Sequence, residues 1–208
     1  MSQLSNVLHN LIDHALFLME ADPDQVLPPE LRETILLHTG TMPKRGQSLT
    51  TGQQRRLGLI MQSANYVLPI WSANYPQRRL PSYLLATMAA FLRQQTTFDQ
   101  IVTCAEEFAR TEAPLGNLRT NAGQAAGMSI WLAFCSFEVL FGDNLSRMSA
   151  DEYANESLIY AARAVALHRQ KQDSLVAYSE QPFWHWWLTT AIPLVWQSTT
   201  FAFPEAET

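Results

Sequence analysis

The side chains able to do chemistry are few in this sequence, and their spacing does not suit it. The histidines are His9, His14, His38, His168 and His185. His9 and His14 are five apart, so they do not share a helix face, and the others are scattered. A metal site calls for ligands at short, face-sharing spacing such as His-x-x-x-His or Cys-x-x-Cys, and neither pattern occurs. His185 falls within the aromatic run Phe183, Trp184, Trp186 and Trp187, where it could titrate. A packed or surface histidine is the plainer expectation.

Nucleophiles fare no better. The chain has no Gly-x-Ser-x-Gly and no glycine-rich phosphate loop. Cys104 precedes Glu106 and Glu107, acids that would raise a thiol pKa rather than activate it. The paired carboxylates Glu106/Glu107 and Asp151/Glu152 are explained by helix capping and solvated faces. The sequence therefore predicts no catalytic residue, no metal and no cofactor, and a protein that is not an enzyme. An active site assembled from scattered polar residues is the competing class.

Charge is the informative chemistry. Residues 41–93 contain no Asp or Glu, yet carry Lys44, Arg45, Arg55, Arg56, Arg78, Arg79 and Arg93. The whole chain has a formal net charge of -5, so both flanks are strongly acidic. Such segregation bears on electrostatic fields and partners. The expectation is a positive patch built from some of Lys44, Arg45, Arg55, Arg56, Arg78 and Arg79, with Arg78 and Arg79, on a proline-bounded connector, the favoured pair. Three occupants were weighed for it: acids of the flanks, an acidic protein partner, and nucleic acid. Nucleic acid ranks last, because the pI is near 5.5 and no nucleic-acid module is visible. Trp186, set apart from its buried neighbours by helical spacing, is a second candidate contact, since exposed tryptophans concentrate at interface hot spots.

These residues must be positioned by helices. Hydrophobic content is 47% and charge 16%, ample for a core and unlike a disordered chain. Apolar residues recur at three-and-four spacing nearly everywhere: Leu4, Leu8, Leu11, Ala15, Leu18 and Met19, then Leu57, Ile60, Met61, Ala64, Val67 and Leu68. Ser2 reads as a first N-cap, Pro28-Pro29 opens a second helix, and Gly40 stops it. Thr50 or Thr51 caps a long helix that Pro69 should kink or end, with Ile70 and Trp71 packed inside. Thr97–Gln100 and Ser149–Glu152 match capping boxes. The segment from about Leu118 to Phe141 combines small residues with large apolar ones, as a central helix would. No strand alternation is evident. The reading is all-α: one domain over residues 1–208, with about eight packed, mostly antiparallel helices.

Cys104 and Cys135 read as buried free thiols rather than a bridge. The N-terminus lacks a basic-then-apolar secretory pattern, so the cytoplasm is the expected compartment. Phe183 to Phe203 is the nearest approach to a membrane span, but polar residues and Pro193 interrupt it, and no membrane association is expected.

One stretch has a familiar form. Gln54-Arg55-Arg56-Leu57 leads to Ser63-Ala64-Asn65-Tyr66-Val67-Leu68-Pro69-Ile70-Trp71, then Tyr75-Pro76 and Leu80-Pro81, then an apolar helix. Over residues 54–93 this resembles the fifth numbered class of immunity proteins of bacterial polymorphic toxin systems. Ala161 to Ala166 and Trp196-Gln197 fit the later alanine-rich and Trp-Gln positions. The proline-bounded connector departs from the family pattern: Gln77-Arg78-Arg79-Leu80 stands where an acid and an arginine are usual. The resemblance implies a compact helical protein that neutralises a cognate toxin by binding it, with no catalytic residues to carry over. A helical scaffold module of a larger bacterial assembly is the alternative.

Overall fold

The structure is a computed structural model that describes residues 4–21, 26–40, 49–111, 121–142 and 148–197. Among these, the ordered elements are all helical: α1 (Asn6–Ala21), α2 (Pro29–Thr39), α3 (Thr51–Asn74), α4 (Leu80–Leu92), α5 (Phe98–Thr111), α6 (Ala122–Phe141), α7 (Ala150–Gln172), α8 (Gln181–Trp186) and α9 (Ile192–Gln197). A π-helical turn, Trp187–Ala191, joins α8 to α9 without a break. Counted as one rod, these give eight helices among the described residues, and the expected all-α class holds. Ser2, the expected first cap, lies outside the described residues.

Capping chemistry starts the long helices where the sequence places them. At α3 the Gln53 N–H donates to Thr50 Oγ1 at 3.3 Å, and the Thr50 N–H donates to Gln53 Oε1 at 2.8 Å. Ser149 and Glu152 repeat the device at α7. Before α5, Gln100 Oε1 accepts the Thr97 N–H at 3.4 Å. Gly40 closes α2 at φ 144°, a backbone conformation that disfavours a side chain, and a Cβ there would strike the Gly52 carbonyl.

The centre is a sandwich of α3, α6 and α7. Gly127 lies against the Trp71 ring, and Gly123 against Asn74 and Tyr75, so α3 and α6 run antiparallel at close approach. On the other side of α6, Ser157 Oγ donates to the Ser129 carbonyl at 2.8 Å and Ser136 Oγ to the Ala150 carbonyl at 2.9 Å. Those two pairings fix α6 and α7 antiparallel as well. Small residues on both faces of α6 are what let it sit between two helices. α6 is also the one described helix long and apolar enough to cross a membrane, and 67% of its apolar window is buried inside the protein. The α4–α5 hairpin covers one side of this centre, and the α8–α9 rod with α1 and α2 covers another.

Of the two outcomes expected of Pro69, a kink or an end, the end is excluded. It lies inside α3, which continues to Asn74. Proline removes one N–H and frees one carbonyl, that of Asn65. Pro69 is exposed and Asn65 half-buried, so the disturbed turn faces outward. Inward, Val67, Ile70 and Trp71 are buried and hold the helix on α6. Pro193 follows a related logic: the wide π turn just ahead of it relieves a position that lacks an N–H.

Candidate partner interface

The acid-free segment does not gather its bases in one place. α3 alone separates Arg55 and Arg56 from Arg78 and Arg79, and 24 residues of helix span about 36 Å. The single patch expected from the sequence is therefore corrected to two sites at opposite ends of a helix. Lys44 and Arg45 lie outside the described residues.

At the start of α3, the two arginines turn inward. Arg56 is 3% exposed, and its Nη2 lies 2.5 Å from Asp151 Oδ1 at the start of α7. Burial lowers its pKa, while Asp151 and their hydrogen bond oppose that shift. Its Nε and Nη1 find no hydrogen-bond partner among the described residues. Arg56 is thus a buried structural cation and not part of an exposed patch. Arg55 is half-buried. Its guanidinium carbon lies 3.9 Å from the centroid of the Trp196 ring, and its Nη2 donates to the Trp196 carbonyl at 3.5 Å. Desolvation lowers its pKa too.

The acidic flank supplies a third inward arginine that the acid-free window could not indicate. Arg32 of α2 is buried. Its Nε donates to Asn155 Oδ1 at 2.7 Å, and its guanidinium carbon is 5.3 Å from the Trp184 ring. The first two turns of α7 therefore receive one arginine from α2 and one from α3.

Beyond the far end of α3 the picture reverses. Arg78 and Arg79 are both exposed. They sit on a connector fixed from below: Trp71, fully buried, donates its Nε1 hydrogen to the Arg78 carbonyl at 3.0 Å. Tyr75 packs on Trp71 at 4.5 Å between ring centroids, and its hydroxyl accepts from Gln124 Nε2 at 2.7 Å. The Arg78 guanidinium carbon lies 5.1 Å from the Tyr75 ring. Antiparallel packing brings the last turn of α7 to the same corner, where Lys171 Nζ donates to Asn74 Oδ1 at 3.2 Å. Lys171 lies far outside the acid-free segment. Only the α3–α6–α7 topology reveals it as a neighbour.

Trp186 is half-buried. It stacks on Tyr66 at 3.8 Å with 15° between the planes, so part of its face is already occupied by α3. Phe183, Trp184 and Trp187 are buried as their spacing predicts. His185 is exposed rather than held within the aromatic cluster. Cys135 is buried, and burial, with a contribution from Glu138, pushes its thiol up to about 12, whereas Cys104 is half-buried; neither is in a disulfide. Among the described residues no group of three or more His, Cys, Asp or Glu could hold a metal ion.

An all-helical domain with a braced, basic, exposed corner has the surface of a binding module. The chain matches the family model Immunity protein Imm5 over residues 12–194, and it belongs to that family. The matched span extends far beyond residues 54–93, where the sequence motifs lie. Membership implies a protein partner, a toxin. No curated protein matches the chain.

Proposed function

We propose that this protein neutralises a cognate toxin by direct, non-enzymatic binding, and that an acidic surface of the toxin docks at the corner formed by Arg78, Arg79 and Lys171. The observation that carries the reading is the contrast between the two ends of α3. Arg55, Arg56 and Arg32 are spent on internal packing, whereas Arg78 and Arg79 are held outward on a connector braced by Trp71. None of Arg78, Arg79 and Lys171 forms an ion pair with a carboxylate among the described residues. Exposed like charges of this kind steer an oppositely charged partner and set its on-rate.

The test is co-expression. Each reading frame adjoining this gene is expressed in a bacterial host with and without the protein. Survival only in its presence, together with a stoichiometric complex of the purified pair, supports the reading. Continued killing with the immunity candidate present in excess overturns it.

A further inference from the structure

The helix that follows the basic corner has an unusual outer face. α4 reads Leu-Pro-Ser-Tyr-Leu-Leu-Ala-Thr-Met-Ala-Ala-Phe-Leu and carries no charge over its 13 residues. Its inner face, Leu84, Leu85, Met88 and Ala89, is buried. The outer stripe is Tyr83, Ala86, Thr87 and Ala90, spaced i, i+3, i+4 and i+7, so all four share one side. An outer face that met only water would be expected to carry charge, as that of α5 does with Asp99, Glu106, Glu107 and Arg110. Here the stripe and the facing residues of α5 line an open groove of about 730 Å³.

We propose that this groove is the docking site for an amphipathic helix of the toxin, one with a small or apolar stripe at its middle and carboxylates toward both ends. The proposal rests on the toxin-binding reading and specifies the element that binds. Ala86 and Ala90 allow two helix backbones to approach closely. Tyr83 is 56% exposed and stands at the end nearest Arg79, where it can act as an aromatic anchor. Charge sets the ends. Arg78 and Arg79 precede α4, Arg93 follows it, and all three are exposed. Arg93 hydrogen-bonds Gln95, a neutral partner, at 2.9 Å. A helix of 13 residues is about 20 Å long, so the docked helix needs its carboxylates roughly three to four turns apart. Glu107 on the α5 wall disfavours an acid in between and accepts a base there. An apolar strip bordered by charge is the anatomy of an interface core with its rim.

The probe is the purified product of an adjoining gene whose toxicity the protein suppresses in the co-expression test, titrated calorimetrically against wild type, A86R/A90R and Tyr83→Ala. Ala86 and Ala90 are half-buried at the groove surface, so the double variant should keep the wild-type melting temperature. At least a tenfold loss of affinity in both variants is expected. Tyr83 should be open to iodination in the free protein and shielded in the complex, with Tyr83→Phe showing which modification belongs to it. Wild-type affinity in both variants, with Tyr83 still reactive in the complex, overturns the groove and leaves toxin binding standing. Should no adjoining product be suppressed in cells and none bind wild type, the toxin-binding reading is overturned and the groove with it. Tyr83 shielded in the free protein also overturns the proposal: if shielding depends on concentration, a second copy of the chain is the occupant. Shielding independent of concentration assigns the groove to the chain itself.

Discussion

Arg56 Nη2 and Asp151 Oδ1 meet at 2.5 Å across the α3–α7 interface, the arginine 97% buried by accessible area and the aspartate half open to water. The asymmetry determines which partner is costly to lose. Removing the carboxylate leaves a buried guanidinium uncompensated, with two of its nitrogens already lacking partners among the described residues. Asp151→Ala should therefore lose about 2–4 kcal/mol of stability, somewhat less than a fully enclosed pair would, because water reaches the vacated side. The double variant R56M/D151A should regain much of that loss, since an apolar side chain fits a buried site at little electrostatic cost. Chemical denaturation measures both. A double variant no more stable than Asp151→Ala would show that the pair matters through something other than uncompensated charge.

Arg78 and Arg79 should behave in the opposite way. Both are exposed and neither bonds a carboxylate among the described residues, so R78E/R79E should shift stability by no more than about 0.5 kcal/mol. The partner's on-rate should fall, and its dependence on salt should flatten, because steering by exposed charge is screened within about 10 Å at 0.1 M salt. Stopped-flow association across a salt series gives the on-rate, and a thermal melt gives the stability. A large drop in melting temperature would show that these arginines pair internally after all.

The contrast between these two pairs of arginines shows where the sequence was legible. The capping boxes at Thr50 and Ser149 and the bond from the Thr97 N–H to Gln100 are local, so the starts of α3, α5 and α7 could be read from three or four neighbouring residues. The small residues of α6 announced a central helix, because only close packing on both sides calls for them. Charge counted along the chain failed for a geometric reason: Asp151 returns to Arg56 from 95 residues away, and α3 spreads the basic segment over its full length. The same limit hid Lys171, which joins Arg78 and Arg79 only through the turn of α7 back along α6. Pro69 left open whether the helix would end there, because its effect depends on which side of the helix it faces, and exposure is set by tertiary packing.

Trp71 links core and corner. It is fully buried, edge-on to Phe108 at 5.8 Å between centroids, and its indole N–H holds the Arg78 carbonyl. Trp71→Ala should cost on the order of 3–5 kcal/mol, as truncation of a buried tryptophan does. Trp71→Phe keeps most of the packing and removes the N–H donor, leaving the Arg78 carbonyl without it. It should cost about 1–3 kcal/mol and weaken partner binding beyond what its stability predicts, because the connector loses its brace. A stability loss well under 1 kcal/mol for Trp71→Ala would contradict the burial.

The Ser149–Glu152 box supplies a pH signature. The Ser149 N–H donates to Glu152 Oε2 at 2.6 Å, and the Glu152 N–H donates to Ser149 Oγ at 3.2 Å. The bond from the Ser149 backbone is the main cause that holds the Glu152 carboxyl below its ordinary value, with the Ser149 side chain adding to it. A carboxyl whose folded pKa is depressed stabilises the fold above its unfolded pKa, near 4.3 for glutamate. That contribution is lost as pH falls through the depressed folded value. Wild type should therefore be more stable than Glu152→Gln at pH 7, and the difference should shrink below about pH 4 until the two coincide. Denaturant melts of the two proteins at intervals from pH 7 to pH 3 give the difference directly. A gap that stays constant over that range, or widens toward acid, would mean that the ionised form of Glu152 is not what caps α7.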